Sequence, residues 1–75
     1  MGRTCIGIYG TEGDYIRKLA GYIRRRCGGS LEVKAFTRQE ALKECLEQGG
    51  VDCMLTEPEG RSLCAEYGVW TALLS

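Results

Sequence analysis

Short strand-like and helix-like segments alternate along the whole chain, and this alternation constrains the fold more than any other feature. Apolar runs at residues 4–9, 31–36, 51–56 and 69–74 predict strands, since each is short and bounded by glycine or polar turns. Helical periodicity fills the intervals between them. Parallel strands joined by right-handed helical crossovers form a sheet with helices on both faces. We therefore expect an α/β fold, a small doubly wound unit with about four parallel strands.

The first predicted helix is an amphipathic segment that begins near Asp14. Its apolar stripe recurs at helical spacing, and its last turn collects three arginines, residues 24–26, before the glycines at 28 and 29. Cations at a helix C-terminus complement the helix dipole. This arrangement predicts a helix end more readily than a nucleic-acid patch.

Two further helices are predicted between the later strands. Thr37 and Glu40 have the spacing of a capping box, so the second helix is expected to start there. The segment 57–60 breaks the chain, although Pro58 and its neighbouring acids also suit the first turn of a helix, and a short third helix is predicted over residues 61–67. With connections this short, the strand order 2-1-3-4 of flavodoxin-like folds fits best.

In such a sheet a ligand is expected beyond the carboxyl ends of the strands, at the switch between the first and third strands. That edge is predicted to combine the loop after strand one with the end of strand three. Its members are Gly10, Thr11, Glu12, Gly13, Thr56 and Glu57.

Charge and hydropathy exclude several classes of partner. The formal net charge of the 75 residues is zero, so no overall field favours nucleic acid or an anionic membrane. No apolar run approaches the roughly 20 residues that span a bilayer. We expect a cytoplasmic protein that binds neither nucleic acid nor membrane.

The five cysteines form no CxxC pair, and the chain has no histidine, so we expect no metal site. Most of them fall on apolar strands or helix faces, where a free cysteine acts as a small hydrophobe. Cys27 is the exception, because three arginines precede it and nearby positive charge favours the thiolate. It is the candidate reactive thiol.

One stretch of the chain resembles a known family. Glu40-Ala41-Leu42, followed by the run from Gly50 to Glu57, looks like the second helix and third strand of response-regulator receiver domains (CheY-like). In receivers the phosphorylated aspartate lies five residues after the first aspartate of this strand. Counting from Asp52 gives Glu57, so the resemblance implies that a glutamate stands in the phosphoacceptor position. That glutamate either mimics the phosphorylated state or is solvated or bonded to nearby backbone amides.

The sequence also departs from receivers in ways that bear on function. Receivers hold Mg²⁺ with a pair of acids after strand one, where this chain has Tyr9-Gly10-Thr11. The resemblance therefore implies a degenerate receiver without a metal, cofactor or enzymatic activity. Receivers also continue beyond a fourth strand, so residues 1–75 are expected to be one domain, or the N-terminal piece of a longer protein.

A narrower resemblance points to the kind of role. Ile8-Tyr9, the helix start at residues 12–15 and Ala35-Phe36-Thr37 resemble the atypical receiver of TadZ/CpaE-type pilus-assembly ATPases. That resemblance implies localisation and self-association rather than phosphotransfer. It implies no nucleotide site, since the ATPase half is absent from these residues.

The last predicted strand is the expected contact surface. An apolar strand at a sheet edge invites pairing with another chain, and here the edge would carry Val69, Trp70, Leu73 and Leu74. Tryptophan dominates interface hot spots, so Trp70 is the expected anchor. We expect a protein partner or a second copy, as a homodimer or a domain-swapped assembly.

Two alternatives belong to other functional classes. Residues 8–13 are similar to the first loop of flavodoxins, which would predict flavin or phosphate binding, although Glu12 and Asp14 would repel a phosphate. The second alternative is an acid/base pair of Glu57 and Glu59, but acids beside Pro58 at a helix start are explained by the helix dipole alone. The favoured hypothesis is a pseudo-receiver that acts through protein contacts in bacterial signalling or localisation.

Overall fold

A computed structural model describes residues 4–73, and strands and helices alternate strictly within them. The elements are β1 (Thr4–Tyr9), α1 (Gly13–Cys27), β2 (Leu31–Phe36), α2 (Gln39–Glu47), β3 (Cys53–Thr56), α3 (Pro58–Glu66) and β4 (Trp70–Leu73). A short 3-10 turn, Gly28–Ser30, joins α1 to β2. The predicted alternation is confirmed.

The four strands form one parallel sheet in the order β2-β1-β3-β4, which confirms the predicted α/β fold class and strand order. The register aligns Ile8 of β1 with Ala35 of β2 and Leu55 of β3, and Leu55 in turn with Ala72 of β4. Because side chains alternate between the faces of a sheet, these four aligned residues lie on one face. The neighbouring row, with Gly7, Met54 and Thr71, lies on the other.

Each face of the sheet has its own apolar cluster. On one face, Ile8 and Val33 pack with Ile16 and Ala20 of α1. On the other face, α2 and α3 bury a larger cluster, whose members are Cys5, Tyr9, Leu42, Leu46, Val51, Met54 and Cys64. Within the described residues, helices therefore pack on both faces, as predicted, with α1 on one face and α2 and α3 on the other.

Two helix starts differ from the predictions. The N-cap of α2 is Arg38, which makes no side-chain capping bond, so the predicted capping box at Thr37 is wrong. Thr37 lies one residue too early for that register. The third helix begins at Pro58 rather than at residue 61, with Glu57 as its N-cap. Proline suits the first helical turn, where its missing N–H has no helical partner to lose.

The strands β3 and β4 begin later than predicted. β3 begins at Cys53 rather than at Val51, and β4 begins at Trp70 rather than at Val69. The predicted end of the last strand, Leu74, lies outside the described residues.

Helix α3 approaches the sheet closely at Gly60. A Cβ atom on this buried glycine would clash with the Thr56 hydroxyl and lie 2.7 Å from Cδ2 of Tyr9. Only a residue without a side chain lets the first turn of α3 rest on β1 and β3. This contact fixes the start of α3, and with it Glu57, at the carboxyl edge of the sheet.

Candidate functional site at the carboxyl edge of the sheet

Glu57 lies at the carboxyl end of β3, where the chain turns into α3. Its backbone N–H donates to the carbonyl oxygen of Tyr9 at 3.2 Å, which extends the β1–β3 pairing one residue beyond the strands. Its backbone is extended, with φ −65° and ψ 158°, as an N-cap residue requires. The structure therefore places this acid at the switch between β1 and β3.

The Glu57 carboxylate is bonded to the loop that follows β1. Its Oε1 atom accepts a hydrogen bond from the backbone N–H of Thr11 and another from the Thr11 hydroxyl, whose Oγ1 lies 3.2 Å away. Bonds to an ionised acceptor are about twice as strong as bonds between neutral groups. The side chain thus ties together two loops that are 46 residues apart in sequence.

Gly10 makes this arrangement possible. A Cβ atom at Gly10 would lie 2.7 Å from Oε1 of Glu57 and 2.6 Å from Cδ1 of Ile16. Both distances are too short for real atoms, so a larger residue would push the carboxylate away from Thr11 or displace α1. Sequence reasoning placed Gly10 at this edge but gave no reason for a glycine there.

The other predicted edge residues have mainly structural positions. Thr56 is fully buried, and its hydroxyl donates to the carbonyl oxygen of Glu57 at 2.9 Å. Glu12 is exposed, and its carbonyl accepts from the amide of Ile16 at 3.0 Å, in the first turn of α1, while Gly13 is the first residue of that helix. The polar contacts that the structure forms across the edge therefore converge on Thr11 and Glu57.

The acids at this edge affect the neighbouring Tyr9. Tyr9 is almost completely buried, and burial raises the pKa of its phenol above the ordinary value of 10.0. The negative charges of Glu59 and Glu57 raise that pKa further, whereas a hydrogen bond with Gln39 lowers it. The phenol stays neutral at physiological pH, so it contributes no charge to the edge.

Chemically, the edge resembles an anion site that the protein has filled with its own carboxylate. A backbone amide and a hydroxyl at the start of a helix are groups that bind phosphate in other α/β proteins. Here the same groups of Thr11 bond Glu57. Across the described residues 4–73, no group of three or more histidine, cysteine or acidic side chains is placed to hold a metal ion.

Cys27 lies far from this edge, at the opposite end of α1. The thiol is partly buried, and the preceding arginines donate to other groups: Arg24 to the Val33 carbonyl at 2.7 Å, Arg25 to the Gly21 carbonyl at 3.4 Å and Arg26 to the Tyr22 hydroxyl at 3.1 Å. The reactivity of Cys27 stays a prediction.

The predicted contact strand is exposed in part. Trp70 is 67% exposed and Leu73 is 47% exposed. Val69, by contrast, is partly buried against the core under α3, and its N–H donates to the carbonyl of Cys64 at 3.2 Å. Among the described residues of the predicted interface, Trp70 and Leu73 are therefore the ones open to a partner.

Sequence reasoning missed an open cavity of about 220 Å³ between β2 and α2. It is lined by Lys34, Phe36, Ala41, Glu44, Cys45 and Gln48. These residues belong to separate elements and share no motif, so no local signal marks the cavity. The charged residues in its lining are Lys34 and Glu44, and one cation with one anion does not indicate which kind of ligand the cavity would bind.

The fold and the edge define a class: a small parallel α/β domain of the 2-1-3-4 strand order, with an acid at the β1–β3 switch. No protein-family model, curated protein or solved structure matches the chain. No helix within residues 4–73 has the length and apolar character needed to cross a membrane.

Proposed function

We propose that this chain is a non-catalytic, receiver-like module of the bacterial cytoplasm that acts in signalling or localisation through protein contacts, chiefly by self-association along β4. The observation that carries the proposal is the open edge of that strand. β4 consists of Trp70, Thr71, Ala72 and Leu73, without a charge or a proline. Natural edge strands normally carry such groups to prevent pairing with another chain.

The opposite edge of the same sheet is protected. The backbone N–H of Gly10, which directly follows β1, donates to the carbonyl of Phe36 in β2, so the alternation along the strand turns the Val33 carbonyl outward. Arg24 of α1 donates to that carbonyl at 2.7 Å. β2 also carries Glu32 and Lys34. The contrast supports β4, rather than β2, as the strand that pairs with a second copy.

The carboxyl edge supports the non-catalytic part of the proposal. The Glu57 carboxylate already bonds the amide and hydroxyl of Thr11, which a phosphate or flavin phosphate would need. A second anion there would meet like charge. Glu59 is exposed in the first turn of α3, where acids complement the helix dipole. This geometry therefore favours neither phosphate binding nor acid/base catalysis.

Sedimentation velocity over a range of concentrations tests the proposal with the variant Leu73→Lys. Leu73 is exposed and lies on the side of the sheet that faces α3. We expect the wild type to form a reversible dimer and Leu73→Lys to raise the dissociation constant at least about tenfold, because two lysines would meet across the paired edges.

The matched control is Ala65→Lys, which adds the same charge at an exposed position of α3. It should leave the dimer intact. A wild-type chain that stays monomeric at all concentrations, or a dimer that tolerates Leu73→Lys, would contradict pairing through β4.

A further inference from the structure

Within the described residues 4–73, α1 covers only part of its face of the sheet, over β1 and β2. The register places four residues of β3 and β4 on the same face: Cys53, Leu55, Trp70 and Ala72. Leu55 packs against the apolar cluster under α1. Trp70 is 67% exposed, and the others are partly buried. This half of the face is an uncharged apolar floor.

One flank of α1 forms a wall beside that floor. Arg24 bonds the outward carbonyl of Val33, so the flank shared by Arg17 and Arg24 faces the outer side of β2. Residues at helical spacing on the other flank, toward β3, are Tyr15, Leu19, Tyr22 and Arg26. Tyr15 is 51% exposed and Tyr22 is 52% exposed. We call this floor and wall the α1–β4 groove.

The groove has the width of one helix. Neighbouring strands lie about 4.8 Å apart, so two strands present a floor about 10 Å wide. A helix with its side chains has a diameter of roughly 10–12 Å. A partner helix would therefore lie beside α1, with its apolar stripe on Leu55, Trp70 and Ala72.

Charge decides which partner fits. α1 carries five basic residues against one acid, and of these Arg26 is the one on the wall of the groove, with its Cζ atom 5.4 Å from the centroid of the Tyr22 ring. A second copy that laid its own α1 in the groove would bring two strongly basic helices together. A helix with acidic residues along its flank would instead pair with this wall.

We propose that the α1–β4 groove binds an acidic amphipathic helix of a partner protein. This inference rests on the proposed role as an interaction module, but it uses a different surface from the β4 edge. Arg26 supplies the charge that selects the partner. Trp70, Leu55 and Ala72 supply the apolar contact, where a buried tryptophan is a common hot spot.

The test uses Trp70 as its own reporter, because it is the single tryptophan of the chain. Two synthetic peptides of roughly 18 residues, long enough to be helical on binding, carry the same leucine stripe with either glutamate or lysine at the other positions. Titrations are made in the Leu73→Lys background, so that pairing through β4 does not contribute. We expect the glutamate peptide to shift Trp70 emission to shorter wavelength, and the lysine peptide to bind at least about tenfold more weakly.

Arg26→Glu and Arg17→Glu form a matched pair, since both exposed residues lie on α1 and both substitutions change the net charge equally. We expect Arg26→Glu to raise the dissociation constant of the glutamate peptide about fivefold to tenfold and Arg17→Glu to raise it much less. Thermal melts check that both variants remain folded. Equal effects of the two substitutions would overturn the proposal, because the peptide would then sense only the overall charge.

Two other results would also overturn it. One is a Trp70 emission wavelength that does not change when the glutamate peptide is added, or that changes equally with both peptides. The other is a blue-shifted emission that moves to longer wavelength on dilution without peptide, which would assign the groove to a second copy. The sedimentation test of Leu73→Lys is independent of these readouts, so failure of edge pairing and failure of helix binding remain distinguishable.

Discussion

The two edge strands of the sheet, β2 and β4, are protected to very different degrees. Arg24 bonds an outward carbonyl of β2, and Glu32 and Lys34 place charge along that strand. β4 has only apolar residues and a threonine. A parallel sheet thus does not protect its edges through its topology. In this chain the protection of β2 comes from particular side chains, one of which belongs to a helix.

The placement of the helices explains why β2 is protected and β4 is not. α1 lies over β2, close enough for Arg24 to reach Val33 at the free side of the strand. β4 is supported by α3 on one face, and no described helix packs on its other face. β4 therefore presents two open surfaces, its edge and half of a sheet face. Both proposals above concern the less protected end of the sheet.

The largest effect is expected when β2 is made like β4. The double variant Glu32→Val/Lys34→Val removes both charges from β2 and leaves the net charge unchanged, and every residue of the strand is then apolar. A chain with two adhesive edges can associate beyond a dimer. We expect the weight-average mass in sedimentation equilibrium to rise above that of a dimer as concentration increases.

Lys43→Val/Glu44→Val is the control for that experiment, because it removes the same pair of charges from exposed positions of α2. Combining Glu32→Val/Lys34→Val with Leu73→Lys should leave dimers that pair through β2. If the double variant behaves like the wild type, the charges on β2 are not what keeps that edge free.

A smaller effect is expected when only the contact from α1 is removed. Arg24→Gln loses a charge-assisted bond to the Val33 carbonyl and should lower the free energy of unfolding by about 1 kcal/mol. Chemical denaturation measures this change. Arg25→Gln is the matched control, since Arg25 makes only a long bond, 3.4 Å, to the Gly21 carbonyl. Equal losses in the two variants would mean that the Val33 contact contributes nothing specific.

The patterns that were predicted well are local or set by topology. The bounds of β1 and β2 follow from short apolar runs between turns, and the strand order follows from short parallel crossovers. The place of Glu57 at the end of β3 follows from the same pattern. A bond from Glu57 to a nearby backbone amide was one of two alternatives, and the choice of Thr11 as its partner could not be predicted, because the bond joins residues 46 positions apart and depends on the missing side chain of Gly10.

The errors arose where one residue type has two structural uses. Pro58 was expected either to break the chain or to suit a helix's first turn, and the predicted start at residue 61 followed the break, whereas Pro58 is the first helical residue. Thr37 matched a capping motif whose register lies one residue away from the observed N-cap. The open half of the sheet face was missed, because it depends on which strands α1 covers and has no local sequence signal.

The smallest expected effect concerns two buried thiols, Cys64 on α3 beside β4 and Cys5 on β1. Burial raises the pKa of both above the ordinary value of 9.0. For Cys5 the positive charge of Lys34 lowers the pKa part of the way back, whereas Glu32, Cys45 and Asp52 raise it; for Cys64 a hydrogen bond with Thr71 lowers the pKa. The unfolded chain loses the two thiol protons at lower pH than the folded chain does. The contribution of these two thiols to the free energy of unfolding is therefore complete below about pH 9 and is lost as pH rises through the higher folded pKa.

Melting temperatures from pH 7 to about pH 10.5 should therefore fall at the alkaline end, partly because of Cys64 and Cys5 and partly because the raised pKa of Tyr9 acts in the same direction. We expect Cys64→Ala and Cys5→Ala each to flatten this fall, because each substitution removes a thiol whose pKa is raised by burial. Cys53→Ala, at a partly exposed position, controls for losing a thiol while keeping both buried ones. If neither Cys64→Ala nor Cys5→Ala flattens the fall, the two buried thiols do not contribute to it, and the raised pKa of Tyr9 is left as its cause.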